Sequence, residues 1–149
     1  RPRRGLVVPK ATAMSMQDTV ALIERYYAAF NRGDWNAMLD CLAADVVHDL
    51  NQGPREKNKD AFRAFLGRMD KSYSEQLKDI VVLSNADGSR AGAEYVVHGT
   101  YKVSDEGLPP AKGQKYVLPG GAFFDIRDGK IARVTNYYNL QDWIAQVGG

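Results

Sequence analysis

KYVLPGGAFFDIR (Lys115–Arg127), DGK (Asp128–Lys130) and IARVTNYY (Ile131–Tyr138) are the stretch that decides the architecture. Two strand-type runs flank a short turn in which Gly129 can take positive φ, so the chain folds back on itself as an antiparallel hairpin. Downstream, Asn139 can cap a closing helix with Leu140, Trp143, Ile144 and Val147 at helical spacing. Upstream lie two more strands, Leu77–Ser84 and Arg90–Val103, separated by the turn Asn85-Ala86-Asp87-Gly88. Residues 104–114 form a loop before the hairpin.

Helices precede this run of strands. Asp18 is the expected cap of a first helix over about residues 19–32. Val20, Ile23, Tyr27 and Phe30 form its apolar stripe, widened by Leu22, Tyr26 and Ala29. Gly33 ends it and Asp34 caps a second, in which Trp35, Met38, Leu39 and Leu42 repeat at helical spacing. Asp45–Leu50 reads as a strand stopped by Asn51-Gln52-Gly53-Pro54, and a third helix runs from about Asn58 to Lys71 with Phe62, Phe65, Leu66 and Met69 on one face. Segregated helices and strands predict an α+β domain, with helices packed on one face of an antiparallel sheet. Polar residues occupy positions where the pattern asks for apolar ones: Tyr26, His48, Glu94, His98, Asn136 and Tyr138. Inward polar groups in such a shell predict a pocket.

Bulk properties narrow the function classes. The 149 residues are 44% hydrophobic and 26% charged, ordinary for a globular chain. No apolar run reaches the roughly 20 residues of a membrane span, so no membrane partner is expected. Of the net charge of +2, four positive charges fall in residues 1–10, which leaves −2 on the remainder. The sequence pI of about 8.7 therefore comes from one end and does not predict nucleic-acid binding. Residues 1–16 are expected to be a disordered basic tail, appended or an extended start, and residues 17–149 a single domain. Leu6-Val7-Val8 is too short for the core of a signal peptide, so the cytoplasm is the expected compartment. Cys41 is alone, hence without an intrachain disulfide.

Three segments carry a resemblance. Glu24–Asp34 (ERYYAAFNRGD) resembles the first helix of the ketosteroid isomerases, whose catalytic tyrosine falls on Tyr26. His98-Gly99-Thr100-Tyr101, with Gly107-Leu108-Pro109-Pro110 and Gly113, is similar to the SnoaL-like polyketide cyclases. So is the ending Asp128–Ile131 … Tyr137–Leu140 … Trp143 … Gln146–Gly148. Both groups belong to the nuclear transport factor 2-like superfamily. The resemblance spans about residues 17–148 and implies a cone-shaped, cystatin-like fold. In that fold a curved antiparallel sheet wraps three N-terminal helices, a short C-terminal helix follows, and homodimers form through the outer sheet face. Departures accompany the matches. Leu50 stands where ketosteroid isomerases carry their aspartate base, and Gly121 or Ala122 where they carry a protonated aspartic acid. Asn139 replaces an acidic residue frequent in SnoaL-type cyclases, and the Asp/Arg/Asp arrangement of limonene epoxide hydrolases is not evident. Authentic steroid isomerisation is therefore not expected.

Candidate chemistry follows. Tyr26 can donate to a substrate oxygen as it gains charge, unless it is a core tyrosine satisfied by protein. His48 shares a strand face with Val46 and Leu50 and can shuttle a proton near neutral pH, unless it is a core histidine. Asp49 points the other way, to solvent or a helix partner. Glu94 and His98 share one face of the long strand, Tyr95 and Val97 the other, and only one set faces the pocket. A buried Glu94–His98 pair would form an acid/base dyad, whereas an outward pair would face solvent or a dimer partner. Leu50, Tyr116, Asn136 and Tyr138 complete the expected ligand contacts. The two histidines lack a nearby carboxylate at metal spacing, and no phosphate loop or dinucleotide fingerprint occurs, so neither metal nor cofactor is expected. The leading reading is cofactor-free proton transfer on a small, largely apolar carbonyl compound, as an isomerase, cyclase or dehydratase. The alternative is a non-catalytic ligand-binding or dimeric interaction module.

Overall fold

A computed structural model describes residues 14–148. Of the expected tail, residues 1–16, residues 1–13 lie outside the described residues and residues 14–16 within them. Met14 packs against the core. Ser15, not Asp18, caps the first helix: its hydroxyl accepts from the Asp18 N–H, and the Asp18 carboxylate accepts from the Ser15 N–H, both at 3.1 Å. Asp18 is thus the third residue of a capping box.

Helix α1 (Met16–Asn31) is followed by the short α2 (Trp35–Asp40), strand β1 (Leu42–Asp49), the two-residue β2 (Glu56–Lys57) and α3 (Lys59–Ser72). Strands β3 (Tyr73–Ser84), β4 (Arg90–Tyr101), β5 (Lys115–Arg127) and β6 (Lys130–Tyr138) precede α4 (Leu140–Val147). The hairpin turn takes φ of 51° at Asp128 and 72° at Gly129, the left-handed conformation that glycine adopts without steric cost.

The six strands form one sheet in the order β2-β1-β6-β5-β4-β3. The domain is α+β as expected, but the sheet is mixed rather than antiparallel, because β1 and β6 run parallel. The cause is local. The Cys41 carbonyl, at the end of α2, accepts from the Ile131 N–H at 2.9 Å. That bond places the start of β1 beside the start of β6. Leu42, expected on the second helix, belongs instead to β1 and pairs with Ile131.

Strand β3 begins at Tyr73, four residues before the predicted start at Leu77. A bulge between Lys78 and Val81, with Asp79 at φ 55°, inserts one residue. The inward set therefore switches from Tyr73, Glu75 and Leu77 to Ile80 and Val82, and the exposed side chains become Val81 and Leu83.

Two cores fill the inner face. The larger joins Leu22, Ile23, Tyr26 and Tyr27 of α1 to Phe62 and Leu66 of α3, with Val46, Phe124, Ile131 and Val134 from the sheet. The smaller lies under α4 and holds Tyr101, Tyr116, Leu118, Trp143 and Val147. Burying so many large apolar side chains, at about 1.5–3 kcal/mol each, drives the helices onto this face.

Candidate functional site

Helix α1 carries Tyr26 into the larger core, where it is 4% exposed. Its ring meets Tyr27 at 5.1 Å and Phe124 at 5.9 Å, both edge to face. Burial, followed by neighbouring Tyr95 and Cys41, holds its phenol well above the ordinary range, so this hydroxyl keeps its proton and can donate it in a hydrogen bond. Next to it, the Tyr27 hydroxyl is buried without a hydrogen-bond partner among the described residues. The Tyr27 ring lies 5.4 Å from that of Tyr95.

His48 and Asn136, singled out separately in the sequence, are brought together. The Asn136 side-chain N–H donates to His48 Nε2 at 3.1 Å. An acceptor at Nε2 means that the neutral ring carries its proton on Nδ1, and Nδ1 is buried with no partner among the described residues. The ring packs 4.4 Å from Phe62 and 4.7 Å from Phe65. Burial among these rings, opposed by the charge of Asp49, pulls the imidazole pKa down to about 4. His48 is therefore neutral at physiological pH.

Asp49 points to the outer face, as strand parity predicts, but its partners are not helical. It accepts from Arg55, in the loop after β1, at 2.7 and 2.9 Å, and from the Thr135 hydroxyl at 2.8 Å. Arg133 binds Asp125 at 2.9 and 3.0 Å and reaches the same Thr135 hydroxyl. An Asp/Arg/Asp string thus exists, but on the outer face, away from the interior.

Glu94 and His98 do not join the inner group. Ala91, Ala93, Tyr95, Gly99 and Tyr101 are the buried members of β4, and Glu94 is exposed and His98 half-buried on the opposite side. The packing of Tyr95 against Tyr27 selects this face, which excludes an interior dyad. Leu50 is half-buried just past β1. Ala122, paired with Asn136, is the inward residue at the position of the missing acid. Tyr138 walls an open hollow of about 600 Å³ with Gln52, Asn139 and Leu140.

The carboxylate that does reach the interior is Glu75. The Tyr116 hydroxyl donates to its Oε2 at 2.7 Å. Tyr116 thus contacts a protein carboxylate rather than standing free for ligand. The two residues lie two strands apart, in the row Glu75–Gly99–Tyr116 across β3, β4 and β5. A methyl group at Gly99 would overlap the Tyr116 ring, so only glycine lets the phenol cross β4. Burial pushes the Glu75 carboxyl above the usual range, and the Tyr116 hydrogen bond opposes that. Burial and then the Glu75 charge push the Tyr95 phenol up to about 12. The Tyr138 phenol, on the wall of the hollow, is raised by burial and then by the charges of Glu75 and Asp105. Sequence reasoning missed Glu75 because it began β3 at Leu77. Extending the two-residue period back from Leu77 puts Glu75 on the inward face.

Among the described residues, no helix is long and apolar enough to cross a membrane. The fold and site define an α+β domain whose helices and inner sheet face surround hydrogen-bonding groups with aromatic rings. The chain belongs to the SnoaL-like domain family, whose match spans residues 23–134. Three similar solved structures are provisionally assigned polyketide cyclases. That from Xanthomonas campestris pv. campestris is 68% identical, with a TM-score of 0.85, over 88% of this chain and 97% of that one. One from Pseudomonas putida KT2440 is 60% identical, with a TM-score of 0.86, over 87% and 97%. One from Silicibacter sp. TM1040 is 50% identical, with a TM-score of 0.88, over 91% and 99%. No curated protein matches the chain.

Proposed function

We propose that this protein binds a small, largely apolar carbonyl compound and catalyses proton transfer on it without a cofactor, as an isomerase, cyclase or dehydratase. The observation that carries this reading is the His48 Nδ1–H, buried without a partner between two phenylalanine rings while Asn136 fixes the other ring nitrogen. Leaving such a donor unpaired costs about 1–3 kcal/mol. A ligand carbonyl oxygen would satisfy it. The polyketide cyclase assignments of the similar structures support the same class. With its pKa near 4, His48 serves as a neutral donor that polarises the carbonyl rather than as the group that carries the proton. A homodimer through the outer sheet face belongs to this reading, supported by exposed Val81, Leu83, Val117, Phe123 and Tyr137.

The test uses 2-acetylnaphthalene, an apolar aryl ketone. Fluorescence titration should show saturable binding, and infrared difference spectra should show its carbonyl stretch lowered by a hydrogen bond. His48→Phe should abolish the lowering. Absence of saturable binding, or an unshifted carbonyl in the wild type, overturns the reading. Turnover of a Δ5-3-ketosteroid should be negligible, because Leu50 and Ala122 stand where carboxyl groups are needed. Efficient isomerisation would refute that exclusion.

A further inference from the structure

Resting on the proton-transfer reading, we propose that Glu75 is the catalytic base of this site and that Tyr116 is its positioning residue. The argument starts from the backbone. β3, β4 and β5 place Glu75, Gly99 and Tyr116 in one inward row. In a regular sheet the central residue of such a row would keep its neighbours apart. Gly99 removes that barrier, and the Tyr116 ring lies across the bare backbone to reach Oε2 at 2.7 Å.

The consequence is a carboxylate held by one oxygen. Among the described residues, the carboxyl makes no hydrogen bond other than that from Tyr116. Among the described residues no cation pairs with it, in contrast to Asp49 and Asp125, whose arginine partners neutralise them on the outer face. Glu75 is half-buried, and a structural carboxylate drawn partly out of water would be expected to carry such a partner, because desolvating an unpaired charge is costly. A carboxylate that must accept a proton from carbon gains from the same arrangement, since weak solvation makes it a stronger base.

The surroundings fit a ligand that is apolar and flat. Tyr73 and Tyr101 stack at 5.4 Å, and Trp143 meets Tyr116 edge-on at 5.8 Å. Tyr138, at the end of β6, walls the hollow of about 600 Å³, the side from which a ligand would approach.

In the proposed step, the free Glu75 oxygen takes a proton from the carbon next to a substrate carbonyl at its own end of the inner face, not the one held by His48, because β3 and β1 lie four strands apart in the sheet. The C–H electron pair becomes the carbon–carbon double bond of the enolate, and the carbonyl π pair moves onto oxygen. The protonated carboxyl then returns its proton to carbon elsewhere on the enolate. Nothing is oxidised or reduced and no co-reactant is required.

The probe reaction is the base-promoted ring opening of 5-nitrobenzisoxazole. A base removes the C3 proton, the C–H pair forms the nitrile, and the N–O bond breaks to release a coloured phenolate. The wild type should accelerate this reaction above acetate at equal pH. Glu75→Gln should lower kcat/KM by about 100-fold or more, the contribution of a positioned base, while 2-acetylnaphthalene still binds. Glu75→Asp should retain part of the rate. Tyr116→Phe should move the acid limb of the pH–rate profile to higher pH, because the lost hydrogen bond favours the carboxylate. The phenols near Glu75, Tyr73, Tyr95 and Tyr138, are displaced upward, away from that limb, and the Asp105 carboxylate accepts from the Tyr73 hydroxyl. Full activity in Glu75→Gln, an unmoved acid limb in Tyr116→Phe, or a wild type that binds the ketone without opening the ring each overturns the assignment of Glu75 while leaving the pocket reading intact. A wild type that does not bind the ketone removes that pocket reading instead, and Glu75 loses its role with it.

Discussion

Folding stability should fall as pH drops from 7 to 4, and most of one component of that fall should disappear in His48→Gln. In the unfolded chain this imidazole titrates near 6.5, whereas in the folded protein burial against Phe62 and Phe65 holds its pKa to about 4. Above pH 6.5 both states are neutral at this position and no difference arises. Between 6.5 and 4 the unfolded state binds a proton that the folded state refuses, so stability is lost at up to about 1.4 kcal/mol per pH unit. Below 4 both states are protonated and the loss stops growing. The full excursion is about 3 kcal/mol, undiluted by solvent because the residue is only 3% exposed. Glutamine cannot titrate and is of similar size. Urea unfolding of wild type and variant, measured at several pH values from 4 to 7.5, isolates the contribution as the difference between two curves. Carboxylates such as Asp49 and Asp125 titrate in both proteins and cancel. Parallel curves would show that His48 binds its proton equally in both states, and would remove the basis for treating it as a neutral donor.

Two other outcomes are expected. Tyr101→Phe should cost about 1–3 kcal/mol, because its hydroxyl donates to the Pro109 carbonyl at 2.7 Å and accepts from the Asp105 N–H at 2.8 Å; Tyr27→Phe, which removes a buried hydroxyl without a partner, should be neutral or stabilising. Thermal unfolding of the two variants would contradict this if the order were reversed. Sedimentation at micromolar concentration should give about twice the monomer mass of 16.5 kDa, whereas a clean monomer would refute the dimer.

Much of the architecture is set by short-range pattern. The apolar stripes of α1 and α3 name their buried faces without reference to any partner, because a 3.6-residue period puts Leu22, Ile23, Tyr26 and Tyr27, or Phe62 and Leu66, on one side. Strand parity likewise placed His48 inward and Asp49 outward, and the Asp128-Gly129 turn follows from its residues alone. Three features required the folded chain. Parity divides β4 into two sets but not into inside and outside; the contact of Tyr95 with Tyr27, distant in sequence, makes that choice and turns Glu94 and His98 outward. The parallel course of β1 comes from one hydrogen bond between Cys41 and Ile131, whose separation along the chain no local period can encode. The bond from Tyr116 to Glu75 needs a glycine on a third strand between them, and the absence of a side chain has no periodic signature. Sequence by itself therefore determined which elements form and which of their residues share a face. Only tertiary structure decided which faces meet, because that choice rests on contacts between strands far apart in the chain.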